Sequence, residues 1–284
     1  MKQILAGVFV LGLAVSAVAQ DKEKTTVKTT TTTTTTAKAV KSGFDLLGGE
    51  TFNVTDAPTF TEGAVDLRLS TRYTESAITD DGEVDDAWTL QPEVVWGATD
   101  RLELFFTVPI KNIENLGDAT EGNYDSYLGG QYRFTEQEGY MPALALASNV
   151  RIPTGDGSNG MDWELRLVLT NEYDSGIRSH LNVFGKYAEH NNFDPFELRN
   201  FQYGAVAGLD GPLCADGAVR WVADYMYRIS EVDGGGGQNI GEAGWQWQID
   251  ECNKLGMSVQ MSLDHSEAVS DVGAALTYAY TLKY

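Results

Sequence analysis

Apolar and polar residues alternate with a period of two along most of this chain. From residue 64 onward, segments of about ten residues repeat this alternation, and the 3.6-residue period of an amphipathic helix does not appear. In the first segment Val65 and Leu67 fall on one face, whereas Asp66 and Arg68 fall on the other. The pattern predicts twelve β-strands, at residues 64–73, 87–96, 101–110, 125–134, 143–152, 163–172, 177–187, 200–209, 218–228, 241–249, 255–264 and 271–284.

The charged residues of these segments all lie on one face. Each of the 21 charged side chains is opposite the bulky apolar face, from Asp66 in the first segment to Lys283 in the last. A water-soluble β-sandwich also alternates, but some of its charge should fall on both faces near strand ends. The apolar face is therefore dry along its whole length, in contact with either a protein core or lipid.

Aromatic residues and connection lengths favour lipid over a protein core. The odd-numbered connections contain 13, 14, 10, 12, 12 and 6 residues, whereas the even-numbered ones contain 4, 8, 4, 8 and 5, as expected for long outer loops and short periplasmic turns. The last segment alternates up to a terminal aromatic residue, like the strand signal that the outer-membrane barrel assembly machinery reads. Aromatic residues on the apolar face, many near segment ends, are Tyr73, Trp88, Trp96, Tyr132, Phe134, Trp163, Tyr187, Phe201, Trp221, Tyr227, Trp245, Tyr280 and Tyr284.

The first 62 residues differ in composition from the rest. Residues 1–19 read as an export signal, with Lys2, an apolar stretch and the small-residue site Ala17-Val18-Ala19. Residues 20–43 include an unbroken threonine run and are expected to form a disordered leader. Residues 44–62 are weakly patterned and are expected to form a periplasmic segment or a plug of the lumen. A strand hidden there would change the strand count. Residues 63–284 are expected to form an all-β, twelve-stranded antiparallel transmembrane up-and-down barrel in the outer membrane.

Composition excludes several classes of function. The formal net charge is -21, with 41 Asp+Glu against 20 Lys+Arg, so the chain lacks the basic surface that nucleic-acid binding requires. Two cysteines and three histidines without zinc spacing argue against a metal site, and no cofactor motif is present. Cys214 and Cys252 fall in two short connections on the same predicted rim, so a disulfide between them is plausible in an oxidising compartment.

Three stretches resemble a known family of outer-membrane channels. They are LQPEVVWGATDRLELFFTVP at residues 90–109, DSYLGGQYRF at 125–134 and PALALASNVRIPTGDG at 142–157. They are similar to the family labelled for the MetA pathway of phenol degradation, and the similarity covers roughly residues 64–284. It implies transport through a barrel. The motifs are mostly strand and turn texture, so they specify the fold better than the solute.

A twelve-stranded barrel is intermediate between filled and open barrels and permits a narrow pore for small solutes, including aromatic or hydrophobic ones. The inner face carries eleven bases and ten acids, which favours cross-strand ion pairs over a selective ion path. The predicted pore-lining residues are Asp66, Arg68, Arg72, Glu93, Arg101, Glu103, Phe105, Tyr127, Arg133, Arg151, Glu164, Arg166, Arg178, His180, Phe184, Lys186, Arg220, Asp224, Arg228 and Glu242.

Expected partners are the lipid bilayer with its lipopolysaccharide, the barrel assembly machinery and a small-molecule solute. The six long connections contain seventeen Asp+Glu and only two bases, Lys111 and Arg199, as expected for solvated loops that repel anions.

Two other functions stay open. An outer-membrane hydrolase needs a nucleophile and base, for which His180 is the one inward-facing histidine, and a soluble secreted β-sandwich would need to cover the dry aromatic belt. Pro92 and Pro109 lie within predicted strands, although proline cannot donate a ladder hydrogen bond. Pro109 lies near a segment end, whereas Pro92 predicts a bulge or a shifted strand boundary.

Overall fold

The computed structural model describes residues 52–78, 84–114, 122–123, 125–155, 160–189, 199–230, 235–264 and 272–282. The predicted signal peptide, the threonine-rich leader and residues 44–51 lie outside the described residues. Over the part that is described, strands are the only regular secondary structure. They are β1 (Val65–Ile78), β2 (Val84–Thr99), β3 (Leu102–Thr107), β4 (Ile110–Glu114), β5 (Gly122–Asn123), β6 (Ser126–Thr135), β7 (Ala143–Ile152), β8 (Asp162–Glu172), β9 (Arg178–Tyr187), β10 (Phe201–Pro212), β11 (Val219–Ile229), β12 (Gly237–Gln248), β13 (Asn253–Ser262) and β14 (Val272–Leu282).

The strands form one closed antiparallel barrel with twelve positions. Sequential strands pair around the wall, and β1 closes the sheet by pairing with both β2 and β14. Both β3 and β4 pair with β2, so they share one position, and β5 and β6 share the next. The predicted all-β, twelve-stranded barrel is therefore confirmed.

Two prolines explain why one wall strand is divided. The backbone of Pro92 faces the next strand, where its carbonyl accepts a hydrogen bond from the Val108 amide at 3.1 Å. Pro92 has no N–H to return, and Val108 and Pro109 lie in the gap between β3 and β4. On the other side Pro92 stays in register with Leu69 of β1. The interruption predicted at Pro92 thus falls in the neighbouring strand.

The outer surface carries the predicted apolar face. Leu69, Leu128 and Val259 are each about half exposed, although they lie within strands. Trp88 and Trp96 point outward at opposite ends of β2, eight residues apart. This distance is about 27 Å along a strand, or about 20 Å along the axis of a barrel with strands tilted by about 40°. The aromatic residues therefore bound an apolar band of nearly the height found in membrane barrels.

The inner surface is polar and buried. Asp210 and Asn182 are completely inaccessible to solvent, and the inward positions of β14 are small residues such as Ala275 and Ala279. The distribution is the inverse of that in a water-soluble domain, because polar groups are inside and apolar groups are outside. No helix in the described ranges is long and apolar enough to cross a membrane.

The disulfide predicted between Cys214 and Cys252 is wrong, because both thiols are free. Cys214 follows β10 and Cys252 precedes β13, so β11 and β12 lie between the strands that carry them. Three interstrand steps correspond to about 14 Å, whereas bridged cysteines have Cα atoms less than about 7 Å apart.

Candidate channel lumen

Residues 52–64, here called the inner segment, lie inside the barrel rather than in its wall. The segment contacts inward-facing side chains of many wall strands, from β12 at Asn53 to β3 at Phe60. Backbone amide and carbonyl groups of the segment form hydrogen bonds with side chains of the wall, in place of the backbone partners that a neighbouring strand would supply. The Asn182 side chain accepts from the Thr55 amide at 2.7 Å and donates to the Thr55 carbonyl at 2.9 Å.

Further backbone groups of the inner segment are also satisfied by the wall. The amide of Asn53 donates to Glu242 at 2.8 Å, and the amide of Ala57 donates to Thr170 Oγ1 at 2.9 Å. Gln131 donates to the Asp56 carbonyl at 2.9 Å. Because buried backbone groups must be paired, these side chains make an extended chain stable within the lumen.

Apolar residues of the inner segment occupy three separate patches of the inner wall. Phe52 and Val54 pack on Val206 and Val222, and Phe184 and Met226 border this cluster. The second patch holds Ala57 against Ala143, Ala145 and Val168, and in the third Phe60 and Ala64 of the segment pack on Val95. Burial of Phe52 alone contributes about 2–3 kcal/mol. Packing and hydrogen bonding therefore hold the segment along its length.

Two wall glycines leave space for the inner segment. A Cβ atom added to Gly208 of β10 would lie 3.2 Å from Val54 Cγ2, and one added to Gly97 would lie 2.2 Å from the Thr61 carbonyl oxygen. Any side chain at Gly97 would collide with backbone. Close approach of another chain is a recognised reason for glycine in a strand.

A buried charge cluster lies below the inner segment, near the short-turn end. Asp210 accepts from Arg178 at 3.0 Å and from His180 Nε2 at 2.5 Å, and Arg220 pairs with its other oxygen. Arg178 also donates to Asp56 of the inner segment at 3.1 Å. Each of these side chains is at least nine-tenths buried. The cluster joins β9, β10 and β11 to the segment.

The order Thr170, His180, Asp210 matches a hydroxyl–imidazole–carboxylate triad. Thr170 Oγ1 is 3.1 Å from His180 Nδ1, and His180 Nε2 binds Asp210. However, Thr170 is 3% exposed and its oxygen accepts the Ala57 amide, so the inner segment occupies the side from which a substrate would approach. This geometry supports a structural role for His180 rather than the hydrolase alternative.

A second group of charges anchors the start of the inner segment. Asp224 and Glu242 face each other across β11 and β12. Asn53 Nδ2 donates to Asp224 at 3.2 Å, and Ser258 donates to Glu242 at 2.7 Å. The two carboxyl groups therefore bind the segment through one residue.

A cavity of about 410 Å³ lies between the inner segment and the wall of β1–β3 and β6–β8, and we call it the vestibule. Thr55, Pro58 and Phe60 of the inner segment form its floor. Thr89 and Pro109 also line it, so it extends from the segment towards the end of the barrel that carries the long connections. The volume falls within the range of small-molecule sites.

The structure places the predicted pore-lining residues on the inner face, except Arg101, which is exposed in the turn between β2 and β3. The prediction for Arg101 is wrong, because the predicted segment 101–110 begins one residue before β3, which starts at Leu102. The residues brought together in the vestibule are Arg68, Glu93, Glu103, Phe105, Tyr127, Glu164 and Arg166.

The other predicted residues lie in separate inner groups. Asp66 pairs with Arg68 at 3.1 Å, Arg133 donates to the Asp100 carbonyl, and Phe184 packs beside Phe52. Arg178, His180 and Arg220 belong to the cluster around Asp210, and Asp224 and Glu242 to the pair that binds Asn53. Arg151 and Lys186 bind Asp162 at 2.9 and 3.0 Å, whereas Arg72 and Arg228 bind the amides of Gln260 and Gln238. Some interior charges pair across strands, as Arg178 does with Asp210 and Lys186 with Asp162. Asp66–Arg68 and Glu164–Arg166 instead pair within one strand, and Asp224 faces the like charge of Glu242.

Several important inner residues were absent from the prediction. Asp210 lies one residue beyond its predicted segment, and Asp162 one residue before its own. Asp56 and Phe60 lie in the weakly patterned region, where alternation gives no signal. One indication was available, because Val95, Val168 and Val206 are apolar residues on an otherwise polar inner face. Such positions indicate that something packs against them.

Comparison with solved structures shows the fold. The COG4313 outer membrane channel from Pseudomonas putida F1 superimposes with a TM-score of 0.62 at 15% identity, covering 80% of this chain and 98% of that one. The KdgM porin and the NanC porin each give a TM-score of 0.50, at 10% and 7% identity. Each comparison covers 78% of this chain, with 99% of KdgM and 100% of NanC. No family model matches the chain, and no curated protein matches it.

Proposed function

We propose that this chain is an outer-membrane channel that admits small solutes through the lumen, with the inner segment closing the passage at rest. The observation that carries the proposal is a polar lumen crossed by a bound segment, inside a barrel whose outer surface is apolar. A water-soluble sandwich would bury its apolar face in a core. In this barrel the apolar face is on the outside, where Trp96 and Phe201 are about half exposed. Similarity to barrels described as channels and porins supports the same proposal.

The proposed orientation places the short turns in the periplasm and the long connections outside the cell. Both the inner segment and the final strand then reach the periplasmic end, because Val65 and Leu282 are register partners there. The vestibule faces the cell exterior and receives solute, and the inner segment separates it from the periplasm. The final strand is the proposed signal for the barrel assembly machinery.

The solute class that we propose follows from the vestibule and the family resemblance. Phe105 and Tyr127 supply aromatic surface, and Thr89, Gln91 and Asn149 supply hydrogen-bonding groups. A small solute with an aromatic or apolar face and a few polar groups fits this lining. Transport of phenols, which the resemblance suggests, is one case of this class.

Liposome swelling tests the proposal directly. We expect liposomes that contain the purified, detergent-folded protein to swell slowly in a pentose or in a small aromatic amino acid, faster once residues 52–60 are deleted, and to stay unchanged in a trisaccharide. The inner segment closes the lumen at rest, and the vestibule has room only for a small solute. Liposomes with heat-unfolded protein are the control for lipid leakage. Equal swelling in every solute, or none in any solute even after residues 52–60 are deleted, would contradict a channel of this kind.

A further inference from the structure

The charged groups that line the vestibule are unequal in number. Four carboxylates, Asp56, Glu93, Glu103 and Glu164, share the lining with two guanidinium groups, Arg68 and Arg166, and Arg178 binds Asp56 from behind the lining at 3.1 Å, which leaves one carboxylate in excess. A solute in the vestibule therefore meets an excess of negative charge. In a narrow space with low-dielectric walls such an excess is felt strongly, because field lines are focused there.

The two guanidinium groups of the lining are already bound to acceptors. Arg68 contacts Asp66 at 3.1 Å and Glu93 at 3.0 Å. Arg166 contacts Glu164 at 2.9 Å and donates to the carbonyl of Asn53 at 3.2 Å. An anionic solute would have to displace these carboxylates to reach either base. The vestibule is consequently a poor site for anions.

Phenyl rings inside the barrel already hold cations. The Arg68 guanidinium and the Lys254 ammonium each lie 5.3 Å from the centre of the Phe60 ring, and Arg166 lies 5.0 Å from that of Phe184. These distances lie within the range of cation–π attraction. The interior thus pairs cations with aromatic faces as well as with carboxylates.

Phe105 offers the same combination to a solute. Its ring lies across Gly129 of β6, where an added Cβ would be 2.3 Å from Phe105 Cζ, so the wall fixes the ring in place. The ring lines the vestibule, and Glu103 lies two residues away on the same face of β3. A positively charged group over this ring would have a carboxylate beside it.

We propose that the vestibule selects small organic cations, such as primary or quaternary ammonium compounds, over anions and neutral solutes of similar size. This inference rests on the proposed function and specifies its solute. Acidic residues of the long connections, among them Asp80, Asp81 and Glu83, add to it, since those connections belong to the end towards which the vestibule extends. The negative lining attracts the ammonium group, and the Phe105 ring contacts its methyl or methylene groups.

Thiol modification measures this selectivity without requiring an open channel. Cys214 and Cys252 are replaced by serine, and Asn149→Cys places one thiol in the vestibule beside its register partner Glu164. The thiol is modified with methanethiosulfonate reagents that carry a trimethylammonium group, a sulfonate group or no charge. The rate for each reagent is divided by its rate with the free thiol 2-mercaptoethanol, which corrects for differences in intrinsic reactivity. We expect the normalised rate of the cationic reagent to exceed that of the anionic one about tenfold or more, with the uncharged reagent between them.

Charge-removing variants identify the source of the selectivity. Glu103→Gln keeps an acceptor for the Phe60 amide, which donates to Glu103 at 3.1 Å, but removes one negative charge. We expect it to lower the cation-to-anion ratio severalfold. Asp174→Asn, in the exposed turn between β8 and β9, removes the same charge outside the vestibule and should leave the ratio unchanged.

The outcomes separate this inference from the proposed function. Equal normalised rates, or a faster anionic reagent, overturn cation selection while leaving the channel proposal intact. Thr89→Cys gives a second vestibule thiol in case Asn149→Cys does not fold. Failure of every reagent at both thiols in folded protein would show that the vestibule is closed to solutes, which overturns both proposals.

Discussion

Deletion of residues 52–60 is expected to raise the single-channel conductance roughly threefold, because a twelve-stranded barrel without an occupant permits a narrow aqueous passage. The deletion removes the floor of the vestibule and every backbone contact between the inner segment and β3, β8, β9 and β12. The wall remains intact, since each wall position pairs with two neighbouring positions. The measurement is conductance in planar bilayers after folding into detergent.

A deletion of residues 29–36 is the matched control. It shortens the threonine-rich leader by nearly the same length and leaves the inner segment in place, so conductance should stay at the wild-type value. Folding of both variants is checked by heat-modifiable mobility on a detergent gel. An unchanged conductance in a correctly folded 52–60 deletion would mean that the segment does not close the lumen.

The second large effect is expected on the outer surface. Leu69 is 49% exposed and pairs with Pro92, midway between Trp88 and Trp96, so its side chain should lie near the bilayer midplane. Leu69→Arg should lower the free energy of unfolding from lipid vesicles by about 2–4 kcal/mol, because a guanidinium at this depth must leave water. Urea titration in vesicles, followed by tryptophan fluorescence, measures this change.

Leu263→Arg provides the comparison for Leu69→Arg. Leu263 is 56% exposed and follows β13 at the long-connection end, where the headgroups should begin. The same substitution there should cost only about 0–1 kcal/mol. If both variants lose equal stability, or if Leu69→Arg is as stable as the parent, the apolar face does not meet hydrocarbon.

Periodicity was sufficient to predict the barrel because two solvents meet the wall. A strand with lipid on one side and a polar lumen on the other must alternate, so residues such as Leu67 and Arg68 reveal its position. Strand ends were harder to predict. β1 continues to Ile78 and β2 begins at Val84, beyond the predicted residues 73 and 87, because strands that leave the bilayer stay paired while their alternation disappears.

The inner segment could not be predicted in the same way. Its apolar residues Phe52, Val54, Ala57 and Phe60 are irregularly spaced, because they fit three separate patches of the wall and none belongs to a ladder. Its backbone partners are side chains such as Asn182, which have no sequence signature for this task. The inward orientation of Glu103 and Phe105 followed from alternation, but their meeting in one vestibule depends on the segment that forms its floor.

A disulfide between the inner segment and the wall tests the central claim most directly. A Cβ at Gly208 would lie 3.3 Å from Val54 Cβ, so a shift of a few tenths of an ångström brings the pair into the range of about 3.5–4.5 Å found in disulfides. In a background without Cys214 and Cys252, the Val54→Cys/Gly208→Cys variant should form this bond, detected by mass spectrometry as a linked peptide pair. We expect the oxidised protein to have a low conductance that rises to the parent value on reduction. Absence of the linked peptide under oxidising conditions in folded protein, or a fully open channel with the bond intact, would contradict a lumen closed by residues 52–64.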